Sequence, residues 1–296
     1  MRNSMRILTL ILAVLMCVCA MASCGKKDSD NGTDIRNAKS LADLEGLKIA
    51  AQGGTFHEDA LAQIEDVKSS TYPEFADLLI ALKSGAIDGY IAEMPTALAV
   101  CKKDSTLGYV ALVNNDTGFT ATAADVGIAI GLKKGSDLRE KINAVLAEIT
   151  EEQKAALMQQ MVDLVAGDSV TSFAIEAPEP ENPVGVLRVG MECAYEPYNW
   201  TVIGSDASYG AVPISGEGKD GMYANGYDVQ VAKYVAHKLG MKLEIYQLEW
   251  NSLTPAVQSG AIDAICAGMS PTADRAKEVD FTNTYYESNL VIVIRK

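Results

Sequence analysis

Histidine and tryptophan are scarce, with two of each among 296 residues, and phenylalanine occurs only five times. His57 and His237 stand far apart, and neither has a partner at metal-ligand spacing, so neither a metal site nor a cofactor is expected. Positive charge is also short: 25 Lys and Arg face 39 Asp and Glu, for a net charge of −14. That balance excludes general nucleic-acid affinity, which needs basic patches. Beyond Cys17, Cys19 and Cys24 the cysteines are Cys101, Cys193 and Cys266. They have no close spacing, hence no disulfide framework and no metal motif. The glycine pair Gly53-Gly54 lacks both a phosphate-loop lysine and the spacing of a dinucleotide fingerprint. The apolar run from Ile7 to Met21 falls short of the roughly 20 residues of a comfortable membrane span.

That run reads instead as the core of a signal segment, residues 1–23, with Arg2 and Arg6 ahead of it. Met21-Ala22-Ser23-Cys24 looks like a bacterial lipobox, which implies cleavage before Cys24 and a lipid on its thiol. The alternative is an ordinary signal peptide with an incidental cysteine. From Gly25 the sequence turns polar at once, a tether composition assigned to 24–40. Loss of Arg2 and Arg6 with the signal takes the net charge from −14 to −16, which bears mainly on solubility.

One pentapeptide occurs twice. Ser84-Gly85-Ala86-Ile87-Asp88 returns letter for letter as Ser259-Gly260-Ala261-Ile262-Asp263. Each copy follows an amphipathic helical run and leads into an apolar strand. The strands end in polar turns, Glu93-Met94-Pro95 in one and Gly268-Met269-Ser270-Pro271 in the other. Two similar α/β lobes facing each other across a cleft are expected: the smaller over 41–126, the larger over 185–296. Residues 127–166 form the crossing and helices of the larger lobe. Residues 167–184 form a linker, extended and exposed because three prolines fall between Ala177 and Pro183. Phe75, Leu78, Leu79 and Leu82 mark one buried helix face, and Ala156, Leu157, Met161 and Leu164 another.

Ile262 to Phe281 carries the densest chemical signal. An apolar strand ends at Gly268, and Ser270-Pro271-Thr272 is read as opening a helix with Asp274 and Arg275 in its first turn. Unpaired N–H groups there, with the planar fork of Arg275, suit a carboxylate. The alternative is a βα turn with Arg275 on the surface. In the first lobe Gln52-Gly53-Gly54-Thr55 joins a strand to a helix, a second anion-type turn by geometry; the alternative is mere turn chemistry. Glu93 at a strand's C-terminal end faces the crevice of an open α/β sheet and could pair with an ammonium group; the alternative is a solvated loop residue.

The runs VGMECAYEPYNW (189–200), GYDVQVAKYVAHKLG (226–240) and Leu248 to Lys296 resemble the first half of amino-acid-binding proteins of ABC importers, the bacterial solute-binding protein family 3. The runs SLADLEGLKIAAQGGT (40–55), ALKSGAIDGYIAE (81–93) and VGIAIGLKKGSDLREKINAVLAEI (126–149) resemble the second half. The resemblance implies a two-lobed α/β fold of the type II periplasmic-binding-protein kind. Here the halves run in reverse order, so the chain resembles a circular permutant, with new ends at an interlobe crossing and one covalent crossing near Val126 to Leu132. A truncated tandem protein is the alternative.

The same resemblance implies a site. Arg275 would bind the α-carboxylate of an amino acid, helped by Gly268, Ser270 and, from the small lobe, Thr55. Glu93 would pair with the α-ammonium, although aspartate is commoner there. Glu192 would be a polar contact, Tyr195 and Trp250 aromatic walls, and Gln52 a reader of the side chain; Phe56 would narrow the pocket. The implied function is capture of a polar or cationic L-amino acid for an ABC permease, at the outer face of the membrane or in the periplasm, with a lipid anchor on Cys24. The alternatives are a cyclohexadienyl-dehydratase-like enzyme using Glu93 as general acid, or a sensor module.

Overall fold

The computed structural model describes residues 34–204 and 209–296. The signal segment, Cys24 and the first part of the tether lie outside these residues. After 3-10 turns at Ile35–Asn37 and Leu41–Leu44, the chain forms β1 (Ile49–Gln52), α1 (Phe56–Leu61), β2 (Ser70–Tyr72) and α2 (Phe75–Ser84). Then come β3 (Gly89–Glu93), α3 (Met94–Lys103), β4 (Leu107–Val110), α4 (Ala123–Val126), β5 (Gly127–Leu132), α5 (Leu138–Leu146) and α6 (Glu151–Val165). Next are β6 (Val186–Met191), β7 (Ala194–Tyr195), β8 (Asn199–Ile203), β9 (Val212–Pro213), β10 (Met222–Asn225), α7 (Tyr227–Lys238) and β11 (Lys242–Gln247). The described chain closes with α8 (Trp250–Ser259), β12 (Ala264–Ile265), α9 (Arg275–Glu278), β13 (Asp280–Glu287) and β14 (Leu290–Arg295).

The strands form two five-stranded sheets and a small antiparallel one. The first sheet has the order β2-β1-β3-β14-β4 and the second β11-β6-β12-β5-β13, while β7-β8-β10-β9 form the third. In the first sheet β1 runs parallel to β2 and β3, and β14 runs antiparallel to β3 and β4. All residues of β3 and of β5 are buried, as expected for strands covered on both faces. This is a two-lobed α/β architecture.

The repeated pentapeptide has one structural role in both sheets. Gly85 closes α2 and Gly260 closes α8, each in the left-handed region at φ +81°. Ile87 and Ile262 follow as buried core residues. The carboxylates of Asp88 and Asp263 then accept the backbone N–H of Lys48 and of Arg188, both at 2.9 Å. Each repeat thus ties a helix end to the start of a neighbouring strand.

Several sequence expectations are corrected. Strand β14 belongs to the first sheet, so 185–296 is not one lobe; the apolar run Leu290–Ile294 fills the space between β3 and β4. Two connections therefore cross between the sheets, from α4 into β5 and from β13 into β14. They run side by side, with Glu287 paired to Gly127 and Ser288 N–H donating to the Val126 carbonyl at 3.2 Å. The single covalent crossing is thereby corrected to two. Lys296 lies away from the crossing, its N–H on the Thr106 carbonyl, because β14 starts opposite Glu93 and runs outward to pair Ile294 with Gly89.

The linker is extended only in its proline-rich part. Before it, Phe173 and Ile175 are buried, and the side chains of Gln153 and Gln160 bind backbone groups of Ala174 and Ser172. Apolar side chains beside clamping amides outweigh the flanking prolines. The last residues of the expected tether also pack: Ala38 is buried and Ile35 lies against Gly89. On α6 the buried face is Leu157, Met158, Met161, Val162 and Val165. Ala156 is exposed and Leu164 only partly covered, because the helix presents Met158 and Val162 to the core in their place.

Candidate functional site: an interlobe cleft

The C-terminal ends of the parallel strands face the boundary between the sheets, where ligand crevices of open α/β folds lie. Gln52 ends β1 and Glu93 ends β3. From the second sheet Glu192 follows β6, and Gly268, Ser270 and Arg275 follow β12. Gln52, Thr55, Glu192, Tyr195, Trp250, Gly268, Ser270 and Arg275 line one common, nearly closed space. Eight of the nine expected ligand-binding positions are thus brought together. Glu93 sits behind them, buried, engaged by Tyr195 and His57.

Arg275 reaches across the cleft. One terminal nitrogen donates to the Ser270 carbonyl and the other to the Gly54 carbonyl of the opposite lobe, both at 3.0 Å. Its guanidinium lies over the Trp250 ring at 5.1 Å from the centroid, and the Trp250 indole N–H donates to the same Gly54 carbonyl at 3.0 Å. Burial pushes the guanidinium down to about 10, with only the Asp59 charge opposing. Among the described residues its contacts are carbonyl oxygens and a ring, with no carboxylate in ion-pair reach. A desolvated cation so placed favours an anion.

The helix expected to open at Ser270 is corrected. The chain stays irregular through Thr272, and only the four residues Arg275–Glu278 are helical. Gly268 at φ +62° and Pro271 hold the approach out of a helical turn. The attraction for an anion therefore rests on the guanidinium rather than on a helix terminus. The Ser270 hydroxyl donates to the Asp125 carbonyl at 2.8 Å, beside the crossing. At Gly268 a Cβ would crowd the wall, falling 3.1 Å from the Tyr195 ring.

On the other side Thr55 caps α1, accepting the His57 N–H at 3.2 Å, and donates to the Gln52 carbonyl at 2.7 Å. Gln52 donates across the cleft to Glu192 at 2.7 Å. Burial pushes the Glu192 carboxyl up to about 7, against the lowering effect of that hydrogen bond. Tyr195 stacks on Phe75 at 4.0 Å and donates its hydroxyl to Glu93. Below the wall, Asp228 is fully buried and accepts from Asn199 at 2.8 Å and Tyr285 at 2.6 Å. Burial pushes its carboxyl up to about 7.

Sequence reasoning missed His57 and Phe75, which line the same space. Phe75 carries the helical core spacing and nothing that marks it as a wall. The signal for His57 was its place two residues after Thr55, at the cap of the helix that follows the glycine pair. Among the described residues there is no group of three or more His, Cys, Asp or Glu side chains able to hold a metal ion, and no helix long and apolar enough to cross a membrane.

Charged groups from both sheets converge in this cleft and make it the candidate ligand site. Residues 187–296 match the family of bacterial extracellular solute-binding proteins, family 3. The arginine-binding extracellular protein of Bacillus subtilis is 39% identical over 32% of this chain and 36% of its own length. An L-cystine-binding protein of Escherichia coli is 29% identical over 48% of each. Among solved structures, an ancestral cationic amino acid solute binding protein is 33% identical over 32% of this chain and 34% of its own, with a TM-score of 0.25. The chain spans about a third to a half of the length of the curated relatives it matches.

Proposed function

We propose that this protein is an extracytoplasmic solute-binding lipoprotein that captures a polar or cationic L-amino acid and delivers it to an ABC permease. The observation that carries the reading is Arg275: a half-buried guanidinium at the cleft with no carboxylate partner among the described residues. A ligand α-carboxylate supplies that partner, while Glu93 takes the α-ammonium and Gln52 and Glu192 read the side chain. The relatives' names, which specify arginine and cystine binding, point to the same ligand class. No bond is made or broken; the two adjacent crossings act as the hinge, and a ligand touching both lobes favours closure by its higher affinity for the closed state. Thermal-shift titration with the standard amino acids and cystine tests this. At least one should raise the melting temperature in a concentration-dependent way; no shift with any of them would overturn the reading.

Two further parts of the reading concern the chain. Cys24 is the lipid attachment point, and Cys24→Ala should move the protein from the membrane to the soluble fraction. The order of segments arises by circular permutation, with 167–184 joining the family's usual ends. The placement of β14 in the same sheet as β1 supports this, since the family order runs from the β14 segment into Ser40–Thr55. A chain rebuilt with 185–296 ahead of 34–166 should fold and bind the same ligand. Failure to fold would favour the truncated tandem alternative.

A further inference from the structure

The two turns that carry the second sheet's cleft contacts are tied to one buried pair of side chains. Asp228, in the first turn of α7, and Asn199, which opens β8, are completely buried, and neither lines the cleft. The Asn199 amide faces two ways. Its nitrogen donates to one Asp228 oxygen and its oxygen accepts the Cys193 N–H, both at 2.8 Å. Cys193 directly follows Glu192 and sits at φ +57°, a left-handed backbone that a residue with a Cβ rarely adopts. Its carbonyl accepts the Thr201 hydroxyl at 2.9 Å, so both backbone groups of the residue are held. From the other turn, the Gly268 N–H is hydrogen-bonded to the Asp228 carboxylate, and the Cys266 thiol donates to the Asp228 carbonyl at 3.4 Å. Gly268 is left-handed too, at φ +62°. Tyr285 of β13 donates to the second Asp228 oxygen at 2.6 Å.

A buried acid is a costly way to hold a fold together. What it supplies is short, directional hydrogen bonds to several donors at once. Backbone strain persists only where its surroundings over-determine it, and such strain gathers at ligand clamps. Here one carboxylate fixes the exit of β6, which carries Glu192 and Tyr195, and the exit of β12, which carries Gly268, Ser270 and Arg275. We propose that Asp228 and Asn199 are positioning residues for the ligand site, holding these two turns in register so that their contacts meet one ligand together. This rests on the reading of the cleft given above. Without the pair, the Cys193 N–H loses its acceptor and the turn behind Glu192 is free to leave the left-handed region. The ligand then has to order that turn as it binds, and its affinity falls.

The experiment pairs calorimetric titration with amide hydrogen exchange for the wild type, Asp228→Asn, Asn199→Asp and the double variant, all at about pH 8, where carboxyl groups are ionised. The ligands are L-arginine, L-glutamine, L-histidine and L-cystine, each alone. Asp228→Asn sets amide nitrogen against amide nitrogen, and Asn199→Asp sets carboxylate against carboxylate. The double variant exchanges donor and acceptor between the two positions and keeps acceptors for the Cys193 N–H and the Tyr285 hydroxyl. Each single variant should bind the ligand about tenfold more weakly than the wild type, and the double variant within about threefold of it. The Cys193 amide should exchange faster in each single variant and recover in the double, while the amides of β14, in the other sheet, keep the wild-type rate. A purely structural role would speed both sets together. Single variants that bind within about twofold of the wild type and protect Cys193 as well would overturn the proposal, as would a double variant no better than the weaker single. Where a single variant fails to fold, Tyr285→Phe takes its place, removing one donor to Asp228 and no group that lines the cleft; unchanged affinity and exchange there would overturn the proposal equally. If the wild type binds none of the four, the reading of the cleft fails and this inference falls with it. If the wild type binds and the variants match it, only this inference fails.

Discussion

Ser84–Asp88 and Ser259–Asp263 share one sequence and one conformation, yet the strands that follow them end in opposite charges. Gly85 and Gly260 have the same φ, with ψ of 11° and 15°, and the two aspartates hold equivalent backbone N–H groups. After the first copy, β3 runs five residues and stops at Glu93, the N-cap of α3. After the second, β12 is only two residues long, and the chain wanders through Gly268 and Ser270 to Arg275. The repeat builds a scaffold, and the strand ends carry the chemistry. A zwitterion, with its two charges on one carbon, suits a cleft whose acid comes from one lobe and whose base comes from the other.

The largest expected effect lies on the basic side. Arg275→Ala should weaken amino-acid binding by about 2–5 kcal/mol, since it strips a charged partner from a buried contact; less than a threefold change by calorimetry would remove Arg275 from the clamp. Next comes the buried acid under the second strand end. A carboxyl whose folded value is raised, from 3.8 to about 7 at Asp228, is protonated in the folded state at pH values where the unfolded chain is already ionised. Its stabilisation is full below about pH 4, falls as the pH rises to about 7, and stays lost above that, a change on the order of 4 kcal/mol. Glu192 adds a slope of the same sign. Asp228→Asn should flatten the fall in denaturant midpoint between about pH 4 and pH 7; an unchanged slope would mean that Asp228 does not govern it.

On the acidic side, Glu93→Gln should weaken binding by about 2 kcal/mol while leaving the fold intact by circular dichroism. Normal binding with loss of a dehydratase activity toward prephenate or arogenate would favour the enzyme alternative. The smallest effects test the scaffold itself. Gly85→Ala and Gly260→Ala each meet open space, so only the left-handed backbone opposes them, at about 1–2 kcal/mol apiece in urea unfolding and with no change in affinity. A clear inequality between them would break the equivalence of the two copies.

Much of this was legible in the residues. The exact repeat announced two similar units, the helix spacing of Phe75, Leu78 and Leu82 announced a buried face, the strand-end position of Glu93 placed it at a crevice, and the family resemblance marked Gln52, Glu192 and Gly268. The path of β14 was not legible, because an apolar run such as Leu290–Ile294 fits either sheet and only the vacancy between β3 and β4 decides. Nor was the short helix at Arg275, where the backbone at Gly268 and Pro271 overrides a favourable capping pattern. His57 was hidden for a different reason: its partner Glu93 is 36 positions away, on another strand, and no local spacing connects them.

Calorimetric titration with the amino acid of largest thermal shift, its α-amide and its N-acetyl derivative tests the central claim, that opposite lobes hold the two charges of one α-carbon. The amide removes the charge that Arg275 is proposed to hold, and the acetyl group removes the one proposed for Glu93. The account predicts binding of the parent amino acid and a loss of at least about tenfold in affinity for each derivative. Equal affinity for all three would contradict it.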